Sequence, residues 1–247
     1  MGEMFYDHSP YSWVKNNPLL RIDPTGMTDY TLNKETGEIS EVTYDNEEEQ
    51  AANDAAETDR IVKTKKDGTI KRNRKGVVKS TSVRDIEKGI LADGQNFKTE
   101  TNIIEVGGEG QPSEQGVEAF ALKLSGYVGV EIGGAYFSSE GSEGTSHITF
   151  GTYGNNSHTR NVGGHGHALG LRQGLNLTGF FHTHPGNGHD ISNSDRLVPS
   201  DTDLDSRDRA LQHNPSLQFF LITAPVNYGD PYPKKIPYRT GYSRRLR

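Results

Sequence analysis

The sequence predicts a mixed α/β fold in its second half, a sheet flanked by helices, preceded by an irregular region of β-hairpins. Three observations carry this. Between residues 113 and 223, helical and strand patterns follow one another in the order α-β-β-α-β-α-β. The strands of that stretch are near-continuous apolar runs, as expected for a sheet covered by helices. Before residue 106, short alternating segments flank turn dipeptides, which is the pattern of hairpins.

The elements read in order as follows. Residues 1–27 run Tyr11-Ser-Trp13, Asn16-Asn17-Pro18-Leu19 and Asp23-Pro24-Thr25-Gly26-Met27, two turn sequences around a short strand, and read as a loop-rich arm. Residues 28–105 contain two candidate hairpins, Tyr30 to Ser40 around Thr36-Gly37 and Ile61 to Lys71 around Asp67-Gly68. Between them Asp45 to Asp59 is acidic and Ala-rich, while Lys63 to Lys79 is basic. The region reads as a flexible charged connector with minor β structure, its basic run a solvated face rather than a nucleic-acid patch. From residue 106 the pattern changes. Ser113 can cap a helix whose apolar residues Val117, Phe120, Ala121 and Leu124 recur at helical spacing. Val128 to Phe137 and His147 to Tyr153 read as strands, 165–176 as a short helix and Leu177 to His182 as a strand. Asp201 to Gln212 is helical, with Ser200 or a neighbour as cap, and Leu217 to Thr223 is a strong strand. The Tyr- and Pro-rich tail, Tyr228 to Tyr242, reads as cover for a sheet edge, with contact to substrate as the alternative.

Composition narrows the chemistry. The 247-residue chain carries a net charge of -6, which disfavours general binding to nucleic acid. A mean hydropathy of -0.76 implies that part of it lies outside a packed core. No run is long and apolar enough for a membrane-spanning helix, and Met1 to Asn17 lacks the apolar stretch of a secretory signal. If the protein leaves its cell, a specialised export system is expected to carry it. With no cysteine there is no thiolate nucleophile and no Cys-ligated metal, so any metal site must use His, Asp and Glu.

One segment meets that condition, Phe180-Phe181-His182-Thr183-His184-Pro185. On a strand, residues two apart face the same side, so both imidazoles can reach one ion. A tetrahedral zinc needs a third protein ligand and leaves a fourth place for water, and without cysteine that ligand should be a carboxylate. Two Ser-x-x-Asp pairs follow, Ser192/Asp195 and Ser200/Asp203. The second follows Pro199 and opens an amphipathic helix, whereas Pro199 would interrupt a helix begun at Asp195. Asp203 is therefore the preferred ligand, since a rigid helix positions a side chain better than a loop. His165-Gly166-His167 has no carboxylate at sensible spacing and reads as a loop or helix start, and His158 and His189 read as surface residues.

These residues resemble the JAMM (JAB/MPN-type) metallopeptidases, which carry His-x-His-Pro, a loop, Ser-x-x-Asp at a helix start and a Glu on an earlier strand. The resemblance runs from about residue 113 to 223 and departs from the commoner spacing by eight residues if Asp203 is the ligand. It implies a JAB/MPN-like mixed sheet over residues 106–247, zinc on His182, His184 and Asp203, a general base, and an oxyanion held partly by Ser200. The base is expected to be Glu131, in Glu131-Ile-Gly-Gly134, with Glu118 as the alternative; a buried strand carboxylate beside the ion suits general-base work. The activity implied is amide or isopeptide hydrolysis on a protein or peptide, which includes deubiquitinase-like cleavage.

The arm at 1–27 resembles the end of an Rhs repeat-associated core, the junction between an encapsulating shell and a variable C-terminal toxin. That resemblance implies a toxin in the rest of the chain, an Rhs shell in the full-length context, an immunity protein as partner and delivery into a target cell. Two other readings remain: a catalytically inactive MPN-like binding module, and a metal-dependent nuclease toxin, which the acidic charge disfavours.

Overall fold

A computed structural model of the chain describes residues 27–142, 144–154, 170–185, 197–224 and 232–240. The arm at 1–26, the Ser192/Asp195 pair, and His158, His165, His167 and His189 lie outside the described residues. The fold is mixed α/β, with two mixed sheets.

The first sheet is built from β1 (Met27–Leu32), β2 (Ile39–Glu41), β3 (Thr58–Ile61) and β4 (Ile86–Glu87), in the order β2-β1-β3-β4. β1 and β2 form the expected antiparallel hairpin, with Leu32 opposite Ile39, and β3 runs parallel to β1. A parallel pair needs a crossover, and here it contains α1 (Glu47–Asp54). This helix escaped the sequence reading because it has little apolar surface. It stands on its Asn46 cap and on Asn53, which is buried and bonds the backbone of β1 and Val42. The stretch expected as a flexible connector therefore carries a sheet with its own buried side chains, Tyr30, Ile39, Ile61, Val83, Ile86, Ile90 and Phe97. Its basic part folds as two successive eight-residue units, Lys63 to Ile70 and Lys71 to Val78, closed by the antiparallel bridges Thr64–Ile70 and Arg72–Val78. The backbones of Lys63, Lys71 and Lys79 close a ring of three hydrogen bonds of 2.8–2.9 Å, while the basic side chains remain exposed.

The second sheet contains β5 (Asn102–Glu105), β6 (Gly133–Ser138), β7 (His147–Phe150), β8 (Asn176–His184), β9 (Gln218–Thr223) and β10 (Lys234–Pro237). Its order is β10-β9-β8-β6-β7-β5, antiparallel throughout except for β8 beside β9. That parallel pair is joined through α3 (Asp201–His213). The tail thus supplies an edge strand, β10, bonded along β9. No described helix is long and apolar enough to cross a membrane.

The sheet buries both faces. On one lies α2 (Glu114–Val128), whose Val117, Phe120 and Leu124 pack with Tyr136, Phe150, Phe181 and Ile222. On the other, α3 packs Leu204 with Phe219, Leu221 and Tyr238. α2 also joins the two sheets. Its cap residue Ser113 bonds the Glu87 carboxylate of β4 through backbone and hydroxyl, at 2.6 and 2.9 Å, and Lys123 donates to the Arg84 and Asp85 carbonyls. The helix runs four residues beyond its expected end at Leu124, until Gly129 turns left-handed (φ 78°). β6 accordingly starts at Gly133 rather than near Val128. Gly134 admits no larger residue, because a Cβ there would lie 2.2 Å from the Thr149 carbonyl oxygen and 2.4 Å from the Phe181 ring.

Phe181 is 1% exposed and its ring lies 5.2 Å from that of Tyr136 and 6.1 Å from that of Phe150. Phe181→Ala should cost about 3–5 kcal/mol of stability, because neighbours anchored on two other strands cannot collapse into the cavity. Urea unfolding should show a lower midpoint at unchanged slope; a loss below about 1 kcal/mol would contradict this packing.

Candidate metal centre

The C-terminal end of β8 alternates between the two faces of the sheet. Phe180, His182 and His184 point toward α3, and Phe181 and Thr183 point toward α2. The two histidines are buried, with ring centroids 5.0 Å apart. α3 brings the carboxylate. Ser200 caps this helix by accepting from the Asp203 N–H at 3.2 Å, and its own N–H and hydroxyl donate to Asp203 Oδ2 at 2.8 and 2.7 Å. A capping box thus fixes the Asp203 rotamer and aims one carboxylate oxygen at β8. Asp203 Oδ2 lies 3.4 Å from His182 Nε2.

One ligand atom each from His182, His184 and Asp203 lie within 4.8 Å of one another, so this group can hold a metal ion. Among the described residues no other three His, Cys, Asp or Glu side chains converge in this way. The surroundings of His182 fit an ion as well. Its Nε2 is buried and makes no hydrogen bond, although Asp203 Oδ2 lies 3.4 Å away. A buried nitrogen left in that state beside a carboxylate suits a cation between them. Burial raises the Asp203 carboxyl, but the His182 imidazole and the two Ser200 donors outweigh it and hold the group well below the usual carboxylate range. Asp203 is therefore ionised at neutral pH, as a ligand must be.

A residue that no motif singles out completes the surroundings. Tyr238 follows β10, is buried, and places its hydroxyl 3.4 Å from His182 Nδ1. Arg207 of α3 donates to the Tyr238 carbonyl at 3.0 Å and fixes that segment. Burial and the nearby Asp203 charge push the Tyr238 phenol far up, so it stays neutral. Only its place in an aromatic tail hinted at a role.

The two glutamate candidates lie on opposite sides of the sheet. Glu118, buried on α2, receives Tyr136 Oη and Lys235 Nζ, each at 2.6 Å, on the face away from the histidines. Lys235 also bonds Glu114 and lies 4.3 Å from the Tyr136 and Phe220 ring centroids. Burial raises the Glu118 carboxyl, against the pull of Lys235. Glu131 instead comes to the histidines, with Oε1 3.5 Å from His184 Nε2. It is not the buried strand residue expected. It sits in the connection between α2 and β6 with its side chain 37% exposed, because the longer α2 displaces the start of the strand. Ser200, expected at the oxyanion, here spends its hydroxyl on Asp203.

No protein-family profile matches the chain, and no curated protein matches it.

Ser200→Ala should remove about 1 kcal/mol of helix capping and weaken the hold on a divalent transition-metal ion about 10–100-fold. Calorimetric titration with zinc or cobalt reads the second effect. Unchanged affinity would show that Asp203 is positioned without its cap.

Proposed function

We propose that the chain is a zinc-dependent hydrolase of amide or isopeptide bonds, of the JAMM kind, acting as the C-terminal toxin of an Rhs-type polymorphic system. The observation that supports this most is the meeting of His182, His184 and Asp203, with Glu131 at the solvent side of His184. Two imidazoles and one carboxylate are one of the donor sets of catalytic zinc sites, which keep a position open for water. Zinc held there supplies a Lewis acid that polarises the substrate carbonyl and brings the pKa of water to about 7.

The chain's own groups divide the remaining work. Glu131 accepts the proton of the attacking water and returns it to the leaving amine. Its partial exposure suits a group that must meet both water and substrate. Asp203 and the histidines hold the ion, Ser200 fixes Asp203, and Tyr238 fixes His182. The substrate is a protein or peptide. The toxin context rests on the Rhs-like residues Tyr11 to Met27, and implies an immunity protein and delivery by a specialised export system.

The test begins with metal analysis of the purified chain and cleavage of peptide and ubiquitin-like isopeptide substrates. His182→Ala should lose zinc and activity together. Glu131→Gln should keep zinc and lower kcat by about 10²–10⁴-fold. Near-full activity in either variant would overturn the assignment, and zinc uptake without any cleavage would favour a binding module.

A further inference from the structure

The carboxylate at Glu131 stands in an exposed connection, yet the peptide groups on either side of it are held by buried hydroxyls. Thr183, between the two histidines, points to the opposite face of β8 and is fully buried. The Ile132 N–H donates to Thr183 Oγ1 at 2.9 Å, and Thr183 Oγ1 donates to Ser125 Oγ at 2.8 Å. Ser125 Oγ donates in turn to the Val130 carbonyl at 2.6 Å. Each hydroxyl gives one bond and accepts one, so the chain has a single consistent direction. It starts at the peptide after Glu131 and ends at the peptide before it. Two backbone bonds close the frame. The Thr183 N–H donates to the Ile132 carbonyl at 2.8 Å, and the Gly129 N–H donates to the Ser125 carbonyl at 2.8 Å.

We infer that Ser125 and Thr183 are positioning residues that hold Glu131 at working distance from the water-activating side of the His182–His184–Asp203 centre. This rests on the hydrolase reading above. The same strand that carries the histidines sets the base through the residue between them, so ligands and base share one rigid support. Valine at 183 matches the shape of threonine but would leave the Ile132 N–H and Ser125 Oγ without these partners, in a site closed to water. The connection should then move, and displacement of a base by about 1 Å can cost up to about 10²-fold in rate.

The full chain is tested with Thr183→Val, Ser125→Ala and the conservative Thr183→Ser. Thr183→Val and Ser125→Ala should keep one zinc per chain, lower kcat about 10–100-fold with KM nearly unchanged, and speed amide hydrogen exchange at Ile132. Thr183→Ser should restore both rate and protection. Unchanged Ile132 exchange in Thr183→Val, or faster exchange with wild-type kcat, overturns the positioning role, as does loss of zinc along with activity. A parent chain that binds zinc and cleaves nothing would instead overturn the hydrolase reading. The exchange measurement separates the two failures, because it reports on the connection without any turnover.

Discussion

The alternation of side chains along residues 180–184 of β8 is the constraint on which the rest of this structure depends. A period of two sends His182 and His184 to one face and Phe181 and Thr183 to the other. The aromatic face is locked by Tyr136 and Phe150, so the polar face cannot rotate or slip without opening the core. A shift of one residue would bury the histidines under α2 and turn Phe181 toward Asp203. The geometry of the centre is thus set by hydrophobic packing on the opposite side of the sheet.

The remaining groups arrive by a topology that leaves little freedom. β8 and β9 are parallel neighbours, so the chain must cross over between them, and α3 lies in that crossover. Its first turn stands beside the histidines, where the capping box holds Asp203. β10 then pairs with β9 and carries Tyr238 back toward His182. Each contributor is fixed by regular structure or by a bonded connection.

Much of this was legible in the sequence. His182 and His184 announce themselves because strand periodicity and a short apolar run coincide. Ser200 and Asp203 do so because Pro199 and the apolar spacing after it mark a helix start. Other features depend on contacts between distant residues. Glu118 looks no different in sequence from a free carboxylate, and its engagement by Lys235 links residues 117 positions apart. Tyr238 reaches His182 across 56 positions. The start of β6 was placed too early because Val128 to Ile132 is apolar enough for a strand, while the left-handed turn at Gly129 is a conformational choice. α1 and the first sheet were underestimated because they are held by caps, asparagine bonds and a core shared with α2, none of which leaves a strong local hydrophobic pattern.

The capping box has one more consequence. Asp203 takes its position from Ser200 and from the packing of Leu204 against Phe219 and Leu221, so the number of residues between Pro185 and Pro199 does not enter the ligand geometry. A chain with the same elements but a different spacing between His184 and Ser200 would therefore keep the same ligand geometry, at the small entropic cost of closing a longer connection.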